Sequence, residues 1–153
     1  MYIETTIVSY LTARPSRNVV LRAHQQITRT WWRTRRYDFD LFISPLVLQE
    51  AGDGDPEAAR RRLTALAGIP VLAAVTGALA VAHALREREP IPQRAAADAM
   101  HIAIAAAHGV EYLLTWNCTH IANAQMRPSI ERLCRGEGFE PPILCTPEEL
   151  LED

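Results

Sequence analysis

Ala97-Asp98-Ala99-Met100-His101-Ile102-Ala103-Ile104-Ala105-Ala106-Ala107-His108-Gly109-Val110-Glu111-Tyr112-Leu113-Leu114-Thr115-Trp116-Asn117 decides the reading of this chain. An Ala-rich apolar run of helical length is stopped by Gly109, and a short apolar strand then ends on polar residues. The run carries one carboxylate, Asp98, set between Ala95-Ala96-Ala97 and Ala99-Met100. An unpaired carboxylate fully buried there would cost several kcal/mol, so an exposed helix face or a functional site must account for it.

The same alternation extends in both directions. Upstream, Met1-Tyr2-Ile3 fits a short buried strand, and Thr5 to Leu11 begins a helix, which places Glu4 at a strand's C-terminal end. Arg14-Pro15-Ser16 breaks that helix, because the residue before a proline is pushed out of helical geometry. From Val19 to Arg36, Val20, Ala23, Ile27 and Trp31 recur at helical spacing, with Arg22, Gln26, Arg29, Arg33 and Arg36 on the opposite side. Asp40 to Ser44 reads as a second strand, and Ser44-Pro45 as a cap followed by proline in the first helical turn, opening a helix that carries Glu50. Asp55-Pro56-Glu57 repeats that signal for a helix ending at Gly68. Ile69 to Ala73 reads as a third strand. Helical stretches follow over Val75 to Glu89 and Gln93 to His108, separated by Pro90-Ile91-Pro92.

Downstream of the opening block, Tyr112 to Thr115 is the fourth strand, Pro128 to Arg135 a helix, and Pro142 to Cys145 a fifth strand. Thr146 then caps a final turn, with Glu149 at the capping-box position. Short apolar strands alternating with amphipathic helices predict a three-layer α/β/α sandwich around a mainly parallel sheet of about five strands. Functional groups in such sheets gather beyond the C-terminal strand ends.

The chain has 153 residues, 48% of them apolar, enough for a single domain over 1–153 with a real core. No apolar run has the length of a membrane span, and Met1 is not followed by the basic-then-apolar order of a signal peptide, so a cytoplasmic protein without membrane contact is expected. Cys118, Cys134 and Cys145 are odd in number and lack CxxC spacing, which indicates neither a disulfide framework nor a zinc knuckle. Net charge is only −2, but the seven arginines from Arg14 to Arg36 have no acidic residue among them, and such asymmetry makes a local positive surface. Lys is absent throughout. A receiver domain, which shares the layered architecture, requires a Lys and an acceptor Asp after its third strand. Ile69 to Val75 contains no Asp.

Strand 1, the helix after strand 2 and the helix before strand 4 can bring Glu4, Glu50 and Asp98 to one edge. Three carboxylates there would repel unless a cation neutralised them, and oxygen donors suit Mg2+ or Mn2+. Asp53 or Asp55 could stand in for Glu50. Asn117 either orients a water or phosphate at the site or forms a turn. His101 shares Asp98's helix face and either flanks the site or packs against a neighbouring element. His120, two residues after Cys118, is read as fixing the loop after strand 4. Arg22, Arg29, Arg33 and Arg36, with Trp32 beside them and Trp31 on the core side, form a stripe suited to RNA phosphates and bases, to a partner protein, or to plain solvent.

Three segments together resemble the PIN-domain family and, within it, the VapC-like toxin ribonucleases of type II toxin–antitoxin systems. They are Tyr2-Ile3-Glu4-Thr5-Thr6-Ile7-Val8-Ser9-Tyr10-Leu11, Ser44-Pro45-Leu46-Val47-Leu48-Gln49-Glu50, and Asp98 to Asn117. The resemblance implies an endoribonuclease that hydrolyses RNA phosphodiester bonds with Mg2+ or Mn2+. It implies Glu4, Glu50 and Asp98 as metal ligands, Asn117 as a fourth catalytic position, and Thr6 as a small hydroxyl residue contacting the site. An antitoxin partner and a homodimer are also implied. Glu4 stands where the family usually has Asp, and Asn117 where it often has Asp. These two departures motivate the alternative of a weak or inactive PIN-like module that binds RNA or protein.

Overall fold

The computed structural model describes residues 1–73, 75–88, 91–92 and 95–151. Three strands, β1 (Tyr2–Ile3), β2 (Tyr112–Leu114) and β3 (Ile143–Cys145), form a parallel sheet in the order β1-β2-β3. Tyr2 pairs with Leu113 and Ile3 with Leu114, while Leu113 and Leu114 pair onward with Leu144 and Cys145. Seven α-helices surround it among the described residues: α1 (Thr5–Thr12), α2 (Val19–Thr34), α3 (Pro45–Gly52), α4 (Pro56–Leu66), α5 (Thr76–Glu87), α6 (Ala96–Ala107) and α7 (Arg127–Gly136). The fold is therefore mixed α/β with a parallel sheet.

The sheet has three strands where about five were expected. Asp40 to Ser44 makes only two isolated parallel bridges, Phe42 with Tyr2 and Ile43 with Val71, and Ile69 to Ala73 takes part only in the second. Apolar patterning marked both segments correctly as extended, and Ile43 is buried. Two local features keep these ladders short. Ser44 turns the chain into α3 immediately after the bridge, and Pro70 has no N–H to donate.

The predicted helix starts are seen in atomic detail. Ser44 Oγ accepts from the Val47 N–H at 3.3 Å, and Asp55 Oδ1 from the Ala58 N–H at 2.8 Å, each satisfying a donor that the first turn leaves unpaired. At the other end of the chain, Glu149 Oε2 accepts from the Thr146 N–H at 2.7 Å and from its hydroxyl at 3.0 Å, one half of the expected capping box, while Pro147 rather than Thr146 stands at the cap of the last turn, with no side-chain cap bond. Helix α6 stops as expected: Gly109 has φ 63°, its N–H reaches Ala106 O, and the Val110 N–H reaches Ala105 O at 2.9 Å. This pair of reversed bonds is a Schellman stop, which needs a residue comfortable in the left-handed region. It turns the chain so that β2 comes directly after it. The expected break at Pro90-Ile91-Pro92 and the helix start at Gln93 fall partly outside the described residues, which exclude Glu89, Pro90 and Gln93.

Helices α1 to α4 pack among themselves, and α5 packs on α6 and α7. One apolar cluster joins them to the sheet, with Tyr2, Ile3, Ile7, Trp31, Ile102, Ile104, Leu113 and Leu114 among its buried members. Each fully buried Ile or Leu side chain contributes about 1.5–3 kcal/mol. The C-terminal ends of β1 and β2 are thereby fixed side by side.

Candidate metal centre

Glu4 follows β1 directly, and its backbone N–H donates to Leu114 O at 3.0 Å. Its side chain, 4% exposed, folds back as the cap of α1, with Oε2 accepting from the Thr6 N–H at 3.1 Å and from Thr6 Oγ1 at 2.5 Å. The positive end of the α1 backbone dipole favours a carboxylate there. Thr115, the residue after β2, donates its hydroxyl to the same oxygen at 2.6 Å.

Glu50 lies on α3 and comes to the same place. Its Oε2 accepts from the hydroxyl of Thr5 and lies 3.0 Å from His101 Nε2. Burial alone would raise the Glu50 pKa, but the His101 and Thr5 hydrogen bonds and the charge of His101 outweigh it, so the carboxyl titrates below its usual value. His101, 1% exposed, is held from behind by the Tyr2 hydroxyl at 2.8 Å from Nδ1, and Tyr2 in turn by Ser44 Oγ at 2.7 Å. A continuous line of polar groups, the buried Ser44, Tyr2 and His101 and the partly exposed Glu50, thus crosses from the cap of α3 to its last turn. Burial raises the Tyr2 pKa strongly, against the hydrogen bond from Ser44, so Tyr2 enters the line as a neutral hydroxyl.

Glu4, Glu50 and His101 each offer a ligand atom, all within 4.8 Å of one another, and they are the one such group of His, Cys, Asp or Glu among the described residues. Two of the three expected carboxylates are therefore brought together. Asp98 stands apart from this group and pairs with His120, Oδ2 to Nδ1 at 2.8 Å, both side chains about one-fifth exposed. Asn117 takes the turn-forming role: Oδ1 accepts from the His120 N–H at 3.1 Å, while its own N–H donates to Thr115 Oγ1. His120 does fix the loop after β2. Thr6 contacts the site as expected, but by binding Glu4 and receiving the Trp116 N–H at 2.8 Å. Trp116 is further tied by its indole N–H to Thr28 of α2 at 2.7 Å and by stacking on His24.

The basic stripe divides. Arg22 and Arg33 are exposed on α2, whereas Arg29 is turned inward, donating to Leu11 O and to Ala13 O at the end of α1. Arg36 lies over the rings of Trp32 and Tyr37, 5.0 and 4.6 Å from their centroids. The same residue borders a cavity of about 460 Å³ lined also by Tyr37, Phe39, Phe42 and Ile69, a space that none of Glu4, Glu50, Asp98 or Asn117 enters. Cys134 and Cys145 are buried thiols with pKa values pushed up by burial to about 11 and about 12, and Cys118 is exposed.

Sequence reading missed Tyr2, Ser44, Thr5 and Thr115 as parts of the site and left His101 undecided. One signal was present for Tyr2: two residues before Glu4 on a strand, it points to the same face. No family model matches the chain, no curated protein matches it, and no solved structure matches it. No helix among the described residues is long and apolar enough to cross a membrane.

Proposed function

We propose that this protein is a divalent-cation-dependent endoribonuclease of the PIN-domain kind, acting in the cytoplasm as the toxin of a type II toxin–antitoxin pair. The observation that carries the reading is the convergence of Glu4 and Glu50 with His101 at the C-terminal strand ends, where the resemblance of the sequence puts a nuclease site. A divalent cation bound there, Mg2+ or Mn2+, would offset charge building on a phosphate and make an adjacent water more acidic. The chain's own part is to keep the donors in place. Thr6 and Thr115 fix Glu4, and Thr5 and His101 fix Glu50. Asp98 and Asn117 support this shell through His120 and Thr115. Exposed Arg22 and Arg33 are the members of the stripe that remain open to RNA phosphates. An antitoxin covering the acidic pocket and a homodimer complete the reading.

Purified protein incubated with single-stranded and structured RNAs in Mg2+ or Mn2+ tests it. Cleavage is expected, and it should vanish on chelation and in Glu4→Gln. Cleavage that persists unchanged in Glu4→Gln removes this site from the mechanism. A second reading, a PIN-like module that binds RNA or protein without cutting, is favoured by one observation: Asn117 and Asp98, two of the four expected catalytic positions, are committed to His120. RNA binding with no cleavage in either cation would select it.

A further inference from the structure

His101 is almost wholly buried, and both of its ring nitrogens are engaged. Nε2 faces Glu50 Oε2 at 3.0 Å, about the separation of adjacent donors around an octahedral ion with bonds of about 2.1 Å. Nδ1 faces away, towards the Tyr2 hydroxyl. That is the arrangement by which proteins orient a metal-bound imidazole: one nitrogen towards the ion, the other held by an outer partner that fixes the tautomer. A water-exposed histidine would need no such backing. Here the backing runs two residues deep, through Tyr2 to Ser44.

We propose that Glu4, Glu50 and the Nε2 of His101 form a mixed oxygen and nitrogen site selective for a first-row transition-metal dication such as Mn2+ or Co2+ over Mg2+, with Tyr2 and Ser44 setting the imidazole tautomer. This rests on the proposal that the cluster holds a cation. Imidazole suits transition metals, whereas Mg2+ takes oxygen ligands and sheds its waters reluctantly. Without a cation, His101 donates its Nε2–H to Glu50. In the loaded site its single proton resides on Nδ1 and is donated to Tyr2 Oη, while Tyr2 turns its own hydroxyl proton towards Ser44 Oγ. The imidazole lone pair on Nε2 replaces the hydrogen bond to Glu50, whose carboxylate shifts to the ion.

The test uses the full-length protein with Mn2+, Co2+ and Mg2+ as probes. Calorimetric titration should give Mn2+ an affinity at least about tenfold above that of Mg2+, and pulsed EPR of the bound Mn2+ should show coupling to one directly bound imidazole nitrogen. His101→Gln should erase both the coupling and the preference. Tyr2→Phe, which keeps the ring packing, should retain the nitrogen coupling and weaken Mn2+ binding by about tenfold or more, and circular dichroism verifies the fold of each variant. The wild-type spectrum decides the matter even if His101→Gln does not fold. Mn2+ bound without nitrogen coupling, or equal Mn2+ and Mg2+ affinities that depend on Glu4 but not His101, would overturn the nitrogen ligand and leave the cation reading standing. Failure of the wild type to bind any of the three ions overturns both.

Discussion

Two acid–histidine pairs sit at the C-terminal end of this sheet, and they differ in what surrounds them. Glu50 and His101 share a hydrogen bond of 3.0 Å with the imidazole 1% exposed, while Asp98 and His120 share one of 2.8 Å with both side chains about one-fifth exposed. Distance alone would rank them together. Surroundings separate them: His101 is backed by Tyr2 and Ser44, and Glu50 lies beside a second carboxylate, whereas Asp98 lies beside none close enough to share an ion with it and His120. A carboxylate becomes a cation ligand by company, and a buried outer shell is what keeps that company in register.

The largest effect should come from taking a carboxylate out of the first pair's company. Glu4→Gln keeps the side chain's volume and an oxygen able to cap α1, but removes the negative charge. Cation support worth several kcal/mol would be lost, a drop of about a thousandfold or more in cleavage rate. The cap is largely retained, so the change in folding stability should stay within about 1 kcal/mol. Rates on a fluorogenic RNA alongside a thermal melt check both halves. A large fall in melting temperature with little loss of rate would make Glu4 a structural cap only.

Asp98 is the intermediate case. It is one turn from His101 on α6, and a path of hydrogen bonds links it to Glu4 through His120, Asn117 and Thr115. Asp98→Asn should therefore act as the loss of an outer partner does, with a rate reduction of about ten- to a hundredfold. A partly exposed pair of this kind contributes about 1 kcal/mol or less to stability. A loss as deep as that of Glu4→Gln would put Asp98 directly on the cation, as the sequence resemblance implies, and would collapse the distinction between the two pairs.

Much of this was legible from residue order. The α6–Gly109–β2 block and the cap at Ser44 come from local rules of period, capping and strand ends, whereas Glu50 was singled out over Asp53 and Asp55 only by the family resemblance. The strand count was not legible, because an apolar segment such as Ile69 to Ala73 reports burial of its surroundings and not the length of the ladder it joins. The polar line through His101 was out of reach for another reason. Its bonds join residues 42, 99 and 51 positions apart, and nothing local to His101 distinguishes a histidine bridging two elements from one that simply fills space between them. Asn117 lay between the two cases, since its turn role is local, whereas a role at the site depended on what the fold brings beside it.

The smallest effect is also the one that depends least on any cation. In the fold, Glu50 titrates below its usual value of 4.5 because the His101 and Thr5 hydrogen bonds and the His101 charge outweigh burial. The folded protein thus holds Glu50 ionised at pH values where the unfolded chain would protonate it, and stability falls as pH falls. This contribution is complete above the unfolded value and is lost as pH drops through the lower folded one. Glu50→Gln cannot titrate, so the acid limb of its stability curve in chelator should be shallower over that interval, with the two proteins running parallel at higher pH. Urea unfolding from pH 7 down to pH 3 reads the difference. Parallel acid limbs would mean that His101 does not hold Glu50 in solution, and with that the Glu50–His101 pair would lose the feature that sets it apart from Asp98 and His120.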